Sequence, residues 1–146
     1  MKKVFGVLAM GCVLTLLVVV SAHAQDPGTA IRASIPFDFI VNGRTLQAGQ
    51  YEIRRVNDEP VGLVIQNVDH RHSEAMFPTE PVDAHKIPSN SLLIFHRYGD
   101  SYFLSEVVTA GEERGEELLP TRSERQLRRE MAKNQLEPET VTVAMN

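Results

Sequence analysis

The chain has 146 residues, with 15 basic and 19 acidic side chains, a formal net charge of −4, one cysteine and no tryptophan. A modest acidic excess argues against a generic nucleic-acid binder, which needs a basic footprint for phosphates. A lone cysteine, Cys12, excludes an internal disulfide and a zinc-thiolate cluster.

Lys2 and Lys3 open the chain, an apolar run follows from Val4 to Val20, and Ala22-His23-Ala24 then has the small-x-small form of a signal-peptidase site. The pattern predicts a secretory signal peptide over residues 1–24, cleaved before Gln25. An uncleaved anchor is disfavoured, because the run of 17 residues is at the lower limit for a bilayer span. A lipidated Cys12 would leave the hydrophobic Val13 to Val20 on the mature protein, which disfavours that route as well. Cleavage removes the cysteine, and removal of Lys2 and Lys3 leaves 13 basic residues against 19 acidic. Residues 25–146 then form a single β-rich domain with one core, addressed to the periplasm or the cell exterior.

In chain order, Ile31, Ala33, Ile35, Phe37, Phe39 and Val41 alternate with polar residues, which predicts a half-buried first strand bent at Pro36. Asn42-Gly43 tolerates positive φ at both positions and predicts a hairpin into a second strand, Thr45 to Val56, with a bend at Ala48-Gly49. After the turn Asn57-Asp58-Glu59-Pro60, Val61, Leu63 and Ile65 start a third strand. Asp69-His70-Arg71-His72 reads as a turn, Glu74 to Phe77 as a short strand, and Thr79 to Asn90, punctuated by prolines, as a long loop.

The stretch "SLLIFHRYGDSYFLSEVV" predicts a hairpin around a two-residue Gly99-Asp100 loop of type II′. The register then places Tyr98 opposite Ser101, Arg97 opposite Tyr102, His96 opposite Phe103, Phe95 opposite Leu104 and Ile94 opposite Ser105. Leu92, Ile94 and Tyr98 line up with Val107 and Phe103 on one face. Apolar residues on both faces require the hairpin to be covered on both sides. "GEERGEELLP" reads as a polar acidic loop, and "TRSERQLRREMAKNQ" as a helix over about 121–135, capped by Thr121 or Ser123. One narrow row, Leu119, Ser123, Leu127 and Met131, would dock it, opposite Arg122, Arg125, Arg129 and Lys133. Residues 139–146 fit either a last strand through Val141, Val143 and Met145 or a tail.

These elements predict a mainly β fold: an antiparallel β-sandwich or small open barrel of about six to eight strands with one C-terminal α-helix. Three stretches, "SIPFDFIVNGRTLQAGQYEIRRV", "SLLIFHRYGDSYFLSEV" and "GEELLPTRSERQLRREM", resemble a family of small secreted proteins predicted from acidobacterial genomes. That family has Leu-Pro-Ala-Gly before the tyrosine of its second strand, where this chain has Leu46-Gln47-Ala48-Gly49. The resemblance implies a secreted β domain, and it carries no activity, ligand or catalytic residue.

The chain has no Gly-x-Ser-x-Gly elbow, no glycine-rich phosphate loop and no His-Glu-x-x-His motif. Its residues point first to a non-enzymatic binding or structural module of the envelope or exterior. The candidate surfaces are a sheet rim with Tyr98 and Tyr102, the proline-rich loop, and the basic face of Arg122, Arg125, Arg129 and Lys133. The partners such surfaces suit are envelope polysaccharide, a lipid surface or another envelope protein. That basic face stands against the expectation that Glu112, Glu113, Glu116 and Glu117 neutralise it in part. A second reading is a divalent metal site, or a metal-dependent hydrolase, with His70, His72 and Glu74 on one face of an extended segment and His85 or His96 approaching. A third is an apolar ligand carried in a barrel lined by Ile35, Phe37 and Phe39, against the alternative of a filled core.

Overall fold

The structure is a computed structural model that describes residues 30–56, 62–70, 74–84 and 86–146. Among these the chain forms β1 (Ile31–Ile35), β2 (Phe39–Val41), β3 (Arg44–Leu46), β4 (Gly49–Val56), β5 (Gly62–Asn67), β6 (Glu74–Asp83), β7 (Leu92–Tyr98), β8 (Ser101–Val108), β9 (Arg114–Leu118), α1 (Arg122–Lys133) and β10 (Glu139–Ala144). The fold is mainly β with one helix near the C-terminus, as its alternating pattern predicts.

The alternation from Ile31 to Val41 holds, but Pro36 divides it between two sheets. β1 pairs antiparallel with β4, whereas β2 pairs with β3 and, in parallel, with β8 through Ile40 and Phe103. Asn42 (φ 47°) and Gly43 (φ 77°) make the β2–β3 turn with the two left-handed residues that an Asn-Gly loop supplies. Asp38 then accepts the Ala48 N–H at 2.8 Å and fixes the bend into β4.

The short strand expected at Glu74 to Phe77 runs on through Asp83, and part of the expected acidic loop is also a strand. β6 runs through Pro78 and Pro81 to Asp83, pairing with β5 as far as Pro78 and with β9 from Thr79 onward. Each half is paired along one side only, so a proline nitrogen can face the unpaired side without breaking the ladder. β9 comes from the acidic stretch and sits between β6 and β8. Gly115 allows this, since a Cβ there would lie 2.7 Å from Glu106 Oε1 and 3.2 Å from the Val107 carbonyl oxygen.

The β7–β8 hairpin has the predicted register from Tyr98↔Ser101 to Phe95↔Leu104, around Gly99 at φ 63°. A bulge between Ile94 and Phe95 then places Ile94 opposite Glu106 and Leu93 opposite Val107. Val107 therefore joins the Leu93 and Phe95 side of the hairpin, not the Ile94 side. Residues 139–144 form β10, paired with β7 along its length. Beyond it, Ala33 bridges Met145, and Arg32 and Asn146 exchange two backbone hydrogen bonds of 3.1 and 2.8 Å. That bridge ties the two outer edges, and the sheet remains open.

The core lies between the two sheets, with Phe39 near its centre, edge-on to Tyr51 at 5.2 Å and to Phe95 at 5.6 Å. The Tyr51 hydroxyl donates to the Gln47 carbonyl at 2.7 Å, so its burial leaves no orphan donor. Ile35 and Phe39 are each 1 % exposed, and Phe37 packs between Phe95 and Tyr102. The interior expected to hold an apolar ligand is filled by these side chains.

Gly62 faces β6, and a Cβ there would lie 2.5 Å from the Phe77 carbonyl oxygen, a backbone atom with little freedom to yield. Gly62→Ala is expected to destabilise the protein by about 1–3 kcal/mol through overpacking. Urea unfolding measures this, and a variant as stable as the parent would show that β5 and β6 can move apart at no cost.

Candidate functional site

α1 begins where its sequence says it should. The Thr121 side chain accepts the Glu124 N–H at 3.3 Å and the Thr121 carbonyl accepts the Arg125 N–H at 2.9 Å. Thr121, not Ser123, is thus the cap. The helix ends at Lys133, and the chain turns away through Gln135 at φ 56°.

The docked side differs from the apolar row that was expected. Leu119 and Ser123 are exposed, Leu127 and Met131 are half-buried, and the one buried residue of α1 is Glu124, at 6 % exposure. Its carboxylate accepts the Tyr98 hydroxyl at 3.4 Å, and Oε1 lies 3.7 Å from His96 Nδ1. His96 and Tyr98 are two apart on β7 and present the same face, so a strand and a helix turn converge on one carboxylate. Burial, and next the Glu124 charge, push the Tyr98 phenol above its ordinary value, while Arg128, one turn on from Glu124, pulls the other way.

Of the two tyrosines, Tyr98 is buried and Tyr102 is half-buried. Tyr98 is 5 % exposed beneath α1, edge-on to Phe103 at 5.5 Å. Tyr102 stacks on Phe37 at 4.0 Å and 16°, with the Arg97 guanidinium 5.4 Å from its ring centre, in the pair that their register predicts. Both rings serve packing.

The basic face is as expected in direction and freer than expected in charge. Arg122, Arg125, Arg129 and Lys133 are all exposed, and Arg122, Arg125, Gln126 and Arg129 border one shallow depression. Arg125 donates to the Pro120 carbonyl. Among the described residues, none of the ion pairs involves any of these four cations. Of the glutamates expected to neutralise them, Glu112 and Glu116 are turned to Arg55 instead, Glu112 at 3.3 Å and Glu116 by a short contact to Nε. Burial lowers the Arg55 pKa, but the bonds and charges of Glu116 and Glu112 outweigh it and hold the guanidinium more firmly protonated.

Of the expected metal ligands, only the side chains of His70 and His96 lie among the described residues, and these two stand on different sheets. His70 is exposed in the turn after β5, its backbone N–H donating to Asn67 Oδ1 at 2.8 Å. His72 and His85 lie outside the described residues, and so does the side chain of Glu74, which opens β6. His96 is engaged at Glu124 beneath α1, on the other sheet.

The chain matches no family model, no curated protein and no solved structure.

The Tyr98 phenol, held above its ordinary value of 10.0, favours folding fully below that pH and loses this contribution as pH rises through the folded-state value. Thermal midpoints measured from pH 8 to 11.5 should therefore fall more steeply above pH 10 for the parent than for Tyr98→Phe. Parallel curves would show that Glu124 and burial do not hold that proton.

Proposed function

We propose that the protein is a secreted, non-enzymatic binding module that holds an anionic envelope polysaccharide through the outward face of α1. The observation that carries this reading is the row Arg122, Arg125, Arg129 and Lys133, exposed and without a carboxylate partner among the described residues. Residues 122 to 133 rise by roughly 16 Å along the helix, so the row presents its charges at intervals to an extended array of anions. A polysaccharide suits it better than insertion into lipid, because the apolar residues Leu127 and Met131 are on the docked side and leave no apolar face to bury in a bilayer. The secreted address rests on residues 1–24 and on the resemblance to small acidobacterial secreted proteins.

Fixing the helix to β7 through Glu124 keeps the cations facing outward, and this lowers the ordering cost of binding. The Arg125→Ala, Arg129→Ala double variant is expected to bind an immobilised anionic polysaccharide about 5- to 30-fold more weakly, at roughly 0.5–1 kcal/mol for each exposed cation. Raising the salt should weaken the parent in the same way. Retention equal to the parent would remove α1 as the contact, and retention on anionic vesicles alone would move the partner to a lipid surface.

A further inference from the structure

At the end of the fold away from α1, the two sheets part around a cleft of about 560 Å³. Ile31, Ile53, Leu63 and Val107 form its apolar floor, and Arg55 and Glu112 stand among its polar residues. We propose that this cleft binds a small amphiphile with an apolar body and a cationic head.

The volume lies within the range of small-molecule sites. The floor is continuous with the core: Ile53, Leu63 and Val107 are 3 to 5 % exposed and belong to the main hydrophobic cluster. An apolar body seated on them extends the core into space that the described side chains leave open. The three come from β4, β5 and β8, so both sheets contribute.

Charge at the rim selects the head. One guanidinium, that of Arg55, faces two carboxylates. Glu116 is the better held, with 12 % side-chain exposure and a second bond from the Thr79 hydroxyl at 2.9 Å. Glu112 is 41 % exposed and has its bond to Arg55 at 3.3 Å, so it carries the spare acceptor capacity and the excess negative charge. An ammonium head gains by meeting Glu112, and a carboxylate head must displace Glu112 from Arg55 before it can bind.

Ser91, which also lines the cleft, precedes β7, and Tyr98, which touches α1, ends it. The cleft is thus separated from the basic helix by roughly 20 Å of strand and is independent of it.

Isothermal titration of the purified protein with decylammonium, decanoate and decyl maltoside, each below its micelle concentration, tests the assignment. The ammonium ligand should bind saturably with one site and more tightly than the other two. Glu112→Gln should weaken it about tenfold, the loss of one charge-assisted contact. Thr109→Trp, at a half-buried position lining the cleft, should abolish binding, with circular dichroism confirming that both variants fold. Arg125→Ala with Arg129→Ala should leave binding unchanged. Decanoate or the maltoside binding as tightly as the ammonium ligand would overturn the cationic head. Ammonium binding that is absent, or untouched by Thr109→Trp, would overturn the cleft.

Discussion

Strand β6 changes partner halfway along its length, and the rest of the fold depends on that exchange. Through Pro78 it belongs with β5, and from Thr79 with β9. One continuous backbone thereby carries hydrogen bonding from one sheet into the other and brings their inner faces into register. Phe77, just before the exchange, is 2 % exposed, so the crossing is fixed by packing as well as by hydrogen bonds. The close approach at Gly62, where β5 leaves no room for a side chain against Phe77, shows how tightly this junction is drawn. Without the crossing, backbone hydrogen bonding between the β1–β4–β5 layer and the other would, among the described residues, be reduced to the Ala33–Met145 bridge and the Arg32–Asn146 pair.

A second constraint acts on α1. Leu127 and Met131 are each only half-buried, so apolar burial holds the helix weakly; Glu124, Tyr98 and His96 supply what they do not. A buried carboxylate is costly unless its lone pairs are met, and here the capping position that places Glu124 in the first turn also turns it toward β7. Its hydrogen bond from Tyr98 is directional and sets the helix rotation more narrowly than two aliphatic side chains do. With Glu124 turned inward, Arg122, Arg125, Arg129 and Lys133, about half a turn away, are turned outward.

Local turn chemistry was the part of the fold most legible in the sequence. Asn42-Gly43 and Gly99-Asp100 specify their hairpins because few residues take positive φ without strain, and the side chains around Gly99-Asp100 pair as that loop requires as far as Phe95. Beyond Phe95 the bulge adds a residue to β8, and no side-chain signal marks it. The second half of β6, beyond the short strand expected at Glu74 to Phe77, and β9 were illegible for a related reason. Prolines at 78 and 81 and the run Arg114-Gly115-Glu116-Glu117 depart from period two, and their strand character arises from pairing between segments distant in sequence. The direction of the basic face could be read from helical spacing, and its lack of neutralisation could not, because that depends on Arg55 drawing Glu112 and Glu116 away. Glu124 was missed because a glutamate three residues after a capping threonine already has a sufficient local reason, a capping box, whereas here its carboxylate bonds Tyr98.

The segregation of charge follows from the same placements. An acidic chain could have spread its glutamates over the helix and left a neutral surface. Instead, the β8–β9 connection is bound back onto the body: Ala84 donates to the Glu113 carbonyl, Gly111 to that of Pro88, and Ala110 to the Ser91 hydroxyl. These bonds hold Glu112 beside Arg55 and start β9 in a register that brings Glu116 there as well. Two carboxylates thereby face one guanidinium at the open end of the sheets, and Arg122, Arg125, Arg129 and Lys133 at the other have no ion-pair partner among the described residues. The polarity of the molecule along β7 is a consequence of how its loops are tied, and net charge alone would not have revealed it.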